Sequence, residues 1–418
     1  MIAKQLAALS AMCLMLPLSV PAFGQQSTPT STGEPTVFDT SGGKIRVVQV
    51  ASGLVSAYSM VFLPEGDLLV VERPGRLRLI RNGKLQALAA WKLPPEPLDP
   101  KDGESSDRLH FLALHPQFAR NRLVYLSYTK FGERGNTLAV ARGRFDIGAT
   151  MLTDVQDVFV ADAWSTKQVL TGGASVGGKL LFGSDGKLFM TSCDRDVHFF
   201  GSDADDNSVR MAAQDLGSLR GKTLRINDDG SVPADNPFVG RNDAKPEIYT
   251  YGHRISFGLA LQPDTGALWE SEIGPLGGDE LNILLRGGNY GWPIVSTGRN
   301  YSGRLVSEQP WWRPGIEMPQ MFWAPTVSPT GLAFYTGDQF PRWKGSLFVG
   351  VLTTRELQRF PFDPSTHQIM RPESLLTPLG VRIRDVIQGP DGDLYVATES
   401  RYGENEPKGT ILRIEPAK

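Results

Sequence analysis

Cysteine is nearly missing from this chain: two occur in 418 residues, and one of them, Cys13, lies in an apolar N-terminal stretch. Beyond that stretch only Cys193 remains, so a mature monomer has no disulfide and must rely on packing. Cys13 follows Ser10, Ala11 and the bulky Met12, a context that argues against lipid attachment. Excess charge of one sign is also missing. Lys and Arg number 43 against 45 Asp and Glu, a formal net charge of -2, which gives no electrostatic case for nucleic acid. Helical periodicity is scarce, and its best stretch, "AAQDLGSLRGK", is short. The apolar run between Lys4 and Val20 is too short and wrongly flanked for a membrane span. With the small residues ending at Gly24 it has the layout of a signal peptide over residues 1–24, which predicts a secreted or periplasmic protein. Residues 25–43, rich in Ser, Thr, Pro and Gly, are expected to form a disordered leader, and residues 44–418 the folded domain.

What the chain has in abundance is turns, with 45 Gly and 30 Pro. One pattern recurs: a short apolar strand, a Pro/Asp/Gly turn, then a second strand rich in Leu, Tyr, Phe and Val. Copies begin at Met60, Phe111, Gly177, Phe257, Thr330 and Arg384. Each is a small antiparallel sheet with two apolar faces that cannot both be buried alone. Packing six such sheets radially buries both faces, and closing the ring protects the edges. The sequence therefore predicts an all-β six-bladed β-propeller of four-stranded antiparallel blades, with long insertions over one mouth where a ligand binds.

Those insertions carry a resemblance. "AQDLGSLRGKTLRINDDGSVPADNPF" from Ala213, "EIYTYGHR" from Glu247, "GPLGGDELNILLRGGNYGWP" from Gly274 and "RIRDVIQGPDGDLYV" from Arg382 are similar to the soluble quinoprotein aldose dehydrogenases. That family, the glucose/sorbosone dehydrogenases, comprises six-bladed propellers that use pyrroloquinoline quinone (PQQ) and calcium. The resemblance runs from about Ser59 to Ile414. It implies hydride transfer from an aldose to the quinone, giving a lactone, with a histidine base, an arginine beside the reacting oxygen and calcium on the carbonyl being reduced.

Residue by residue, Arg254 matches the arginine at the reacting carbonyl, and Gly274 and Pro275 match the backbone carbonyls that hold calcium. Arg382 and Arg384 match the pair that grips the cofactor carboxylates, and their i, i+2 spacing puts both on one strand face. Thr326 matches a cofactor-contacting hydroxyl, and Asp194 the carboxylate that orients the base. Other positions depart from the family pattern. Ser175 stands where the histidine base is expected, and a serine hydroxyl needs another base to activate it. Ile255, Ser256 and Phe257 replace Asn-Pro-Gln, while Ser106, Ile273 and Thr353 replace further polar residues. A relocated base is sought in His198 or in His110, expected in the loop entering the second blade; His253 belongs to the family motif itself. The acidic run from Asp194 to Asp206 is a second candidate for calcium.

Two classes of function stay open on these residues. One is a PQQ- and calcium-dependent dehydrogenase of a small-molecule sugar or alcohol, passing electrons to a further acceptor. The other is a noncatalytic propeller that binds a sugar or other small ligand. A calcium-dependent hydrolase or lactonase is a weaker alternative resting on fold alone.

Overall fold

A computed structural model describes residues 36–94, 108–165, 176–195, 209–309, 311–363, 365–399 and 406–417. The expected signal peptide, Ser106, Ser175, His198 and the acidic run beyond Arg195 lie outside the described residues.

Each repeat folds into one sheet, and the sheets form a closed ring. The first strands are Ala57–Phe62, Leu109–Leu114, Gly177–Phe182, Ile255–Leu261, Pro329–Phe334 and Arg382–Gln388, which define blades 1 to 6. Each of these strands touches the first strand of the next blade, and blade 6 returns to blade 1, so they line the axis. Blades 2 to 5 are four-stranded and antiparallel, as expected. In blade 1 the outer position is shared by Lys84–Leu85 and Trp91–Lys92.

The second strands of blades 1, 3, 5 and 6 are buried throughout, for example Leu68–Glu72 and Leu188–Ser192, because both of their faces pack against neighbouring blades. Their hydrophobic residues therefore run on without alternation. Among the described residues, six larger apolar clusters sit one between each adjacent pair of blades, from Leu69 and Phe111 between blades 1 and 2 to Ala397 and Met60 between blades 6 and 1. Tight turns join first to second strands, and Gly186 and Gly392 sit there at φ 73° and 82°, a conformation that favours glycine.

The leader needs correction. Thr36–Thr40 is a strand that pairs with Gly43–Leu54, and Gly43–Leu54 pairs with Gly409–Pro416 as an outer strand of blade 6. The start of the domain thus closes the ring on its end, giving that sheet five strands. The turn between the two strands is docked: Ser41 donates from N and Oγ to Glu373 at 2.6 and 2.7 Å. A Cβ on Gly42 would collide with the Trp343 indole. Composition marks this segment as polar, but edge pairing and one carboxylate from blade 5 order it.

Only short helical turns occur among the described residues: Phe118–Asn121, Arg210–Ala213 at the start of the stretch singled out for weak periodicity, Pro341–Trp343 and Thr377–Leu379.

Candidate active site at the mouth of the propeller

Antiparallel pairing places the start of every first strand beside the end of its second strand, as in Arg382 opposite Glu399 and Ile255 opposite Ile273. That end of the ring is the mouth, because Arg254, Thr326, Arg382 and the Gly274 turn all fall there.

A feature of the backbone decides which side chains reach the axis. In all six first strands the register with the second strand shifts within a few residues of the mouth end, at Ala57/Ser59, Leu109/Leu112, Gly177/Leu180, Ser256/Gly258, Pro329/Leu332 and Ile383/Asp385. Bulges re-aim side chains. The residues they release are Tyr58, His110 with Phe111, Lys179, Phe257, Thr330 and Arg384. Tyr58 of blade 1 meets Phe257 of the opposite blade 4 edge-on at 6.1 Å, and both contact Phe111. The Arg384 guanidinium lies 4.6 Å from the centre of the Tyr58 ring and 5.6 Å from that of Phe257. Below them Lys179 of blade 3 pairs with Asp385 of blade 6 at 3.4 Å, straight across the axis. Phe257 thus makes an apolar floor where the resemblance predicts a polar contact.

The expected cofactor residues are present at the mouth, each held by another part of the chain. Arg382 donates from Nη2 to Glu399 Oε1 at 2.9 Å, and Arg384 donates from Nε and Nη2 to Glu399 Oε2 and Oε1 at 2.9 and 2.7 Å. Burial would raise the Glu399 pKa, but the charges of Arg384, Arg382 and Arg73 and the Arg384 bond hold it at about 2. Thr326 Oγ1 donates to Asp279, which also takes the backbone N–H groups of Gly274, Val327 and Ser328. Asp194 accepts from Trp292 Nε1 at 2.7 Å, and its own N–H donates to the Arg254 carbonyl at 3.0 Å. Thr353 bonds the Ser328 hydroxyl at 2.9 Å. Ile255 and Ile273 pack into the cluster between blades 1 and 2.

Arg254 is buried and donates from Nη1 to the carbonyls of Ile273 and Gly274, both at 3.0 Å, with its guanidinium 5.4 Å from the Trp292 ring. The Gly274 oxygen is one of the two expected calcium ligands. A divalent cation on it would face the guanidinium at close range, and Asp279 beside it already accepts four groups. This arrangement does not fit calcium at Gly274. It does fit an anionic planar cofactor: Arg254, Arg382 and Arg384 surround an aromatic floor, and Arg382 keeps a fifth of its side chain exposed.

Behind Arg254 stands a group that sequence reasoning missed. Glu272 bridges the Arg254 backbone N–H at 2.6 Å and His253 Nδ1 at 3.0 Å, while Glu270 also lies 3.0 Å from that nitrogen. Thr250 Oγ1 is 2.9 Å from His253 Nε2, and Tyr290 stacks on the ring at 4.8 Å. Burial would lower the His253 pKa, but the two glutamates outweigh it and raise it to about 10, which favours the charged ring. The i, i+2 spacing of Glu270 and Glu272 was visible as a same-face pair. Only the fold brings His253 to them. His110 also moves from its expected place: it lies within a strand, fully buried, with Nε2 bonded to Thr129 Oγ1 at 2.8 Å. Burial first, then the charges of Arg73 and Arg195, lower its pKa to about 3.

A closed six-bladed propeller with arginines gathered over an aromatic floor at one mouth defines a class of small-molecule-binding β-propellers. Within it, the chain belongs to the Glucose / Sorbosone dehydrogenase family, whose sequence profile matches residues 54–413. It is 35% identical over 362 residues to the aldose sugar dehydrogenase YliI of Escherichia coli, covering 86% of this chain and 90% of that one. A solved glucose dehydrogenase superposes with a TM-score of 0.77 at 37% identity, covering 89% of this chain and 99% of its own. The PQQ-bound aldose sugar dehydrogenase of Streptomyces coelicolor superposes with a TM-score of 0.67 at 25% identity, covering 92% and 98%.

Proposed function

We propose that this protein is a quinoprotein-type sugar dehydrogenase, secreted or periplasmic, that oxidises an aldose or related alcohol to a lactone. The observation that carries this reading is Arg254, buried at the mouth beside Trp292 and backed by the Glu272–His253 pair, in a chain of this family. When bound, PQQ would supply a two-electron acceptor for the hydride leaving the anomeric carbon. Arg382 and Arg384 would hold the carboxylates of such a group, and the floor of Tyr58, Phe111 and Phe257 would exclude water beneath it. Arg254 would stabilise negative charge developing at the acceptor oxygen. The hydroxyl proton of the sugar goes to a base, for which His198 is proposed, with Asp194 beside it in sequence.

Titrating the purified protein with PQQ, with and without calcium, and then adding a panel of aldoses tests the reading. Binding followed by loss of the quinone absorbance is the expected result, with Arg254→Gln lowering the rate about 100-fold and His198→Ala abolishing it. Absence of binding would overturn it. The second reading, a noncatalytic sugar-binding propeller, is favoured by one observation: Glu399 and Asp279 already bond to Arg382, Arg384 and Thr326. Binding without reduction would select it.

A further inference from the structure

Behind Arg254, blade 4 encloses more carboxylate than the chain has charge to meet. Glu270 and Glu272 lie two apart on the second strand, Leu268–Ile273, so both side chains leave the same face. On the third strand, Asp279–Ile283, Glu280 stands opposite Glu272 and Asn282 opposite Glu270, which places them on that face too. Among the described residues, no Lys or Arg side chain bonds any of the three glutamates. Glu270 Oε1 takes the Thr223 hydroxyl, Glu272 Oε1 the Arg254 backbone N–H, and Glu280 Oε2 the Asn282 amide. Burial, and then the charge of Glu272, push the Glu280 carboxyl well above its ordinary range. His253 alone brings positive charge into contact with the cluster, and buried carboxylates short of counter-charge are costly.

The shortfall falls on one atom. His253 Nδ1 can carry a single hydrogen and lies 3.0 Å from both Glu270 Oε2 and Glu272 Oε2. It bonds Glu272, and Glu270 Oε2, on a fully buried residue, is left without a hydrogen-bond partner. A second unmet buried oxygen, Asn282 Oδ1, belongs to the residue paired with Glu270 in the ladder. One proton cannot serve two carboxylates at equal distance, whereas one divalent ion can. The three donor atoms lie within 4.8 Å of one another. At these separations they surround a point about 2 Å from each, the bond length of zinc to imidazole nitrogen and carboxylate oxygen. The ion fills the space between its ligands and needs no wider cavity. An imidazole with two carboxylates suits zinc or a neighbouring transition ion, while calcium takes six to eight oxygens.

We propose that His253 Nδ1, Glu270 and Glu272 bind a divalent transition ion of the zinc class, which clamps the loop carrying Arg254 to blade 4. The ion takes the place of the Nδ1 proton, so binding releases one proton to solvent. The Nε2–H that stays on the ring donates to Thr250 Oγ1 at 2.9 Å, which fixes the tautomer. Because the ligands come from a loop and a strand that only the folded blade brings together, the ion is taken up as the domain folds. The site uses neither a quinone nor the Gly274 carbonyl, so it stands apart from the dehydrogenase reading.

Metal counting on the full protein, produced in medium supplemented with zinc, manganese or calcium and then desalted, tests the site. About one zinc or manganese ion per chain should be retained. The thermal midpoint should stand about 5 °C higher with free zinc than with EDTA. His253→Gln and Glu270→Gln should each retain at least tenfold less, and their midpoints should no longer respond to zinc. Glu270→Gln is a near-isostere that removes a buried charge, so it guards against a folding defect in the histidine variant. No retained transition ion together with an unchanged midpoint overturns the proposal, and so does retention that survives both variants. Calcium retained in zinc's place and lost in Glu270→Gln overturns the transition-ion assignment. Quinone binding and sugar oxidation can fail while all these results stand.

Discussion

Glu399 concentrates the chemistry of the mouth in one side chain. Two arginines expected to grip a cofactor both bond to it, and its folded pKa of about 2 lies below the ordinary carboxylate value. A depressed folded pKa contributes stability that is complete above the unfolded value and is lost as pH falls toward the folded one. Here that window runs from about pH 4.5 down to about 2, and the contribution is roughly 3 kcal/mol. Urea unfolding followed from pH 6 to pH 3 should therefore show a decline in stability that is shallower in Glu399→Gln. That variant should also be less stable at pH 6, because it leaves the buried Arg384 and the half-buried Arg382 without their anion. A Glu399→Gln profile as steep as the wild type would show that other carboxylates control the acid limb. The Ser175 position shows the converse at this scale: a single residue was legible as a departure from the family, yet what replaces the base depends on which distant side chains approach.

Strands and their bulges set what each residue can do. Hydrophobic repeats located the six first strands, but a register shift in every one decides that Tyr58, Lys179, Phe257 and Arg384 face the axis. No local pattern marks a bulge, because the extra residue is defined only against its partner strand. The strand Thr36–Thr40 is a second case, read from composition as leader and found to be paired with the ring-closing strand Gly43–Leu54. Removing residues 1–34 should move the thermal midpoint by no more than about 2 °C, whereas removing 1–54 should abolish a cooperative transition. Circular dichroism melts of the two truncations distinguish these outcomes, and a cooperative melt of the shorter protein would refute the closing role.

At the scale of the whole molecule, opposite blades touch across the axis. Lys179 and Asp385 are 206 positions apart, and Asp385 also accepts the Met60 N–H of blade 1 at 3.0 Å. These contacts tie blades 1, 3 and 6 together beneath the aromatic floor. Breaking such a pair from one side leaves a buried charge unmet. Lys179→Met or Asp385→Asn alone should cost about 3–5 kcal/mol, and the double variant distinctly less than the sum. Denaturant unfolding of the three variants forms the cycle. Strict additivity would show that the two groups do not interact across the axis.

The sequence by itself determined the architecture and the place of the site. Six repeats with two apolar faces each admit few arrangements other than a ring, and the GHR, Gly-Pro and Arg-x-Arg motifs had to fall at strand ends on one side of it. Local pattern carries that information because alternation, turn residues and motif spacing are properties of neighbouring residues. Tertiary structure alone decided the partners: Glu399 for both arginines, Arg254 for the Gly274 carbonyl, and His253 for Glu270 and Glu272. Each of these depends on the distance between groups that the chain separates by tens to hundreds of residues. Charge, burial and hydrogen bonding act through that distance, and only the closed ring sets it.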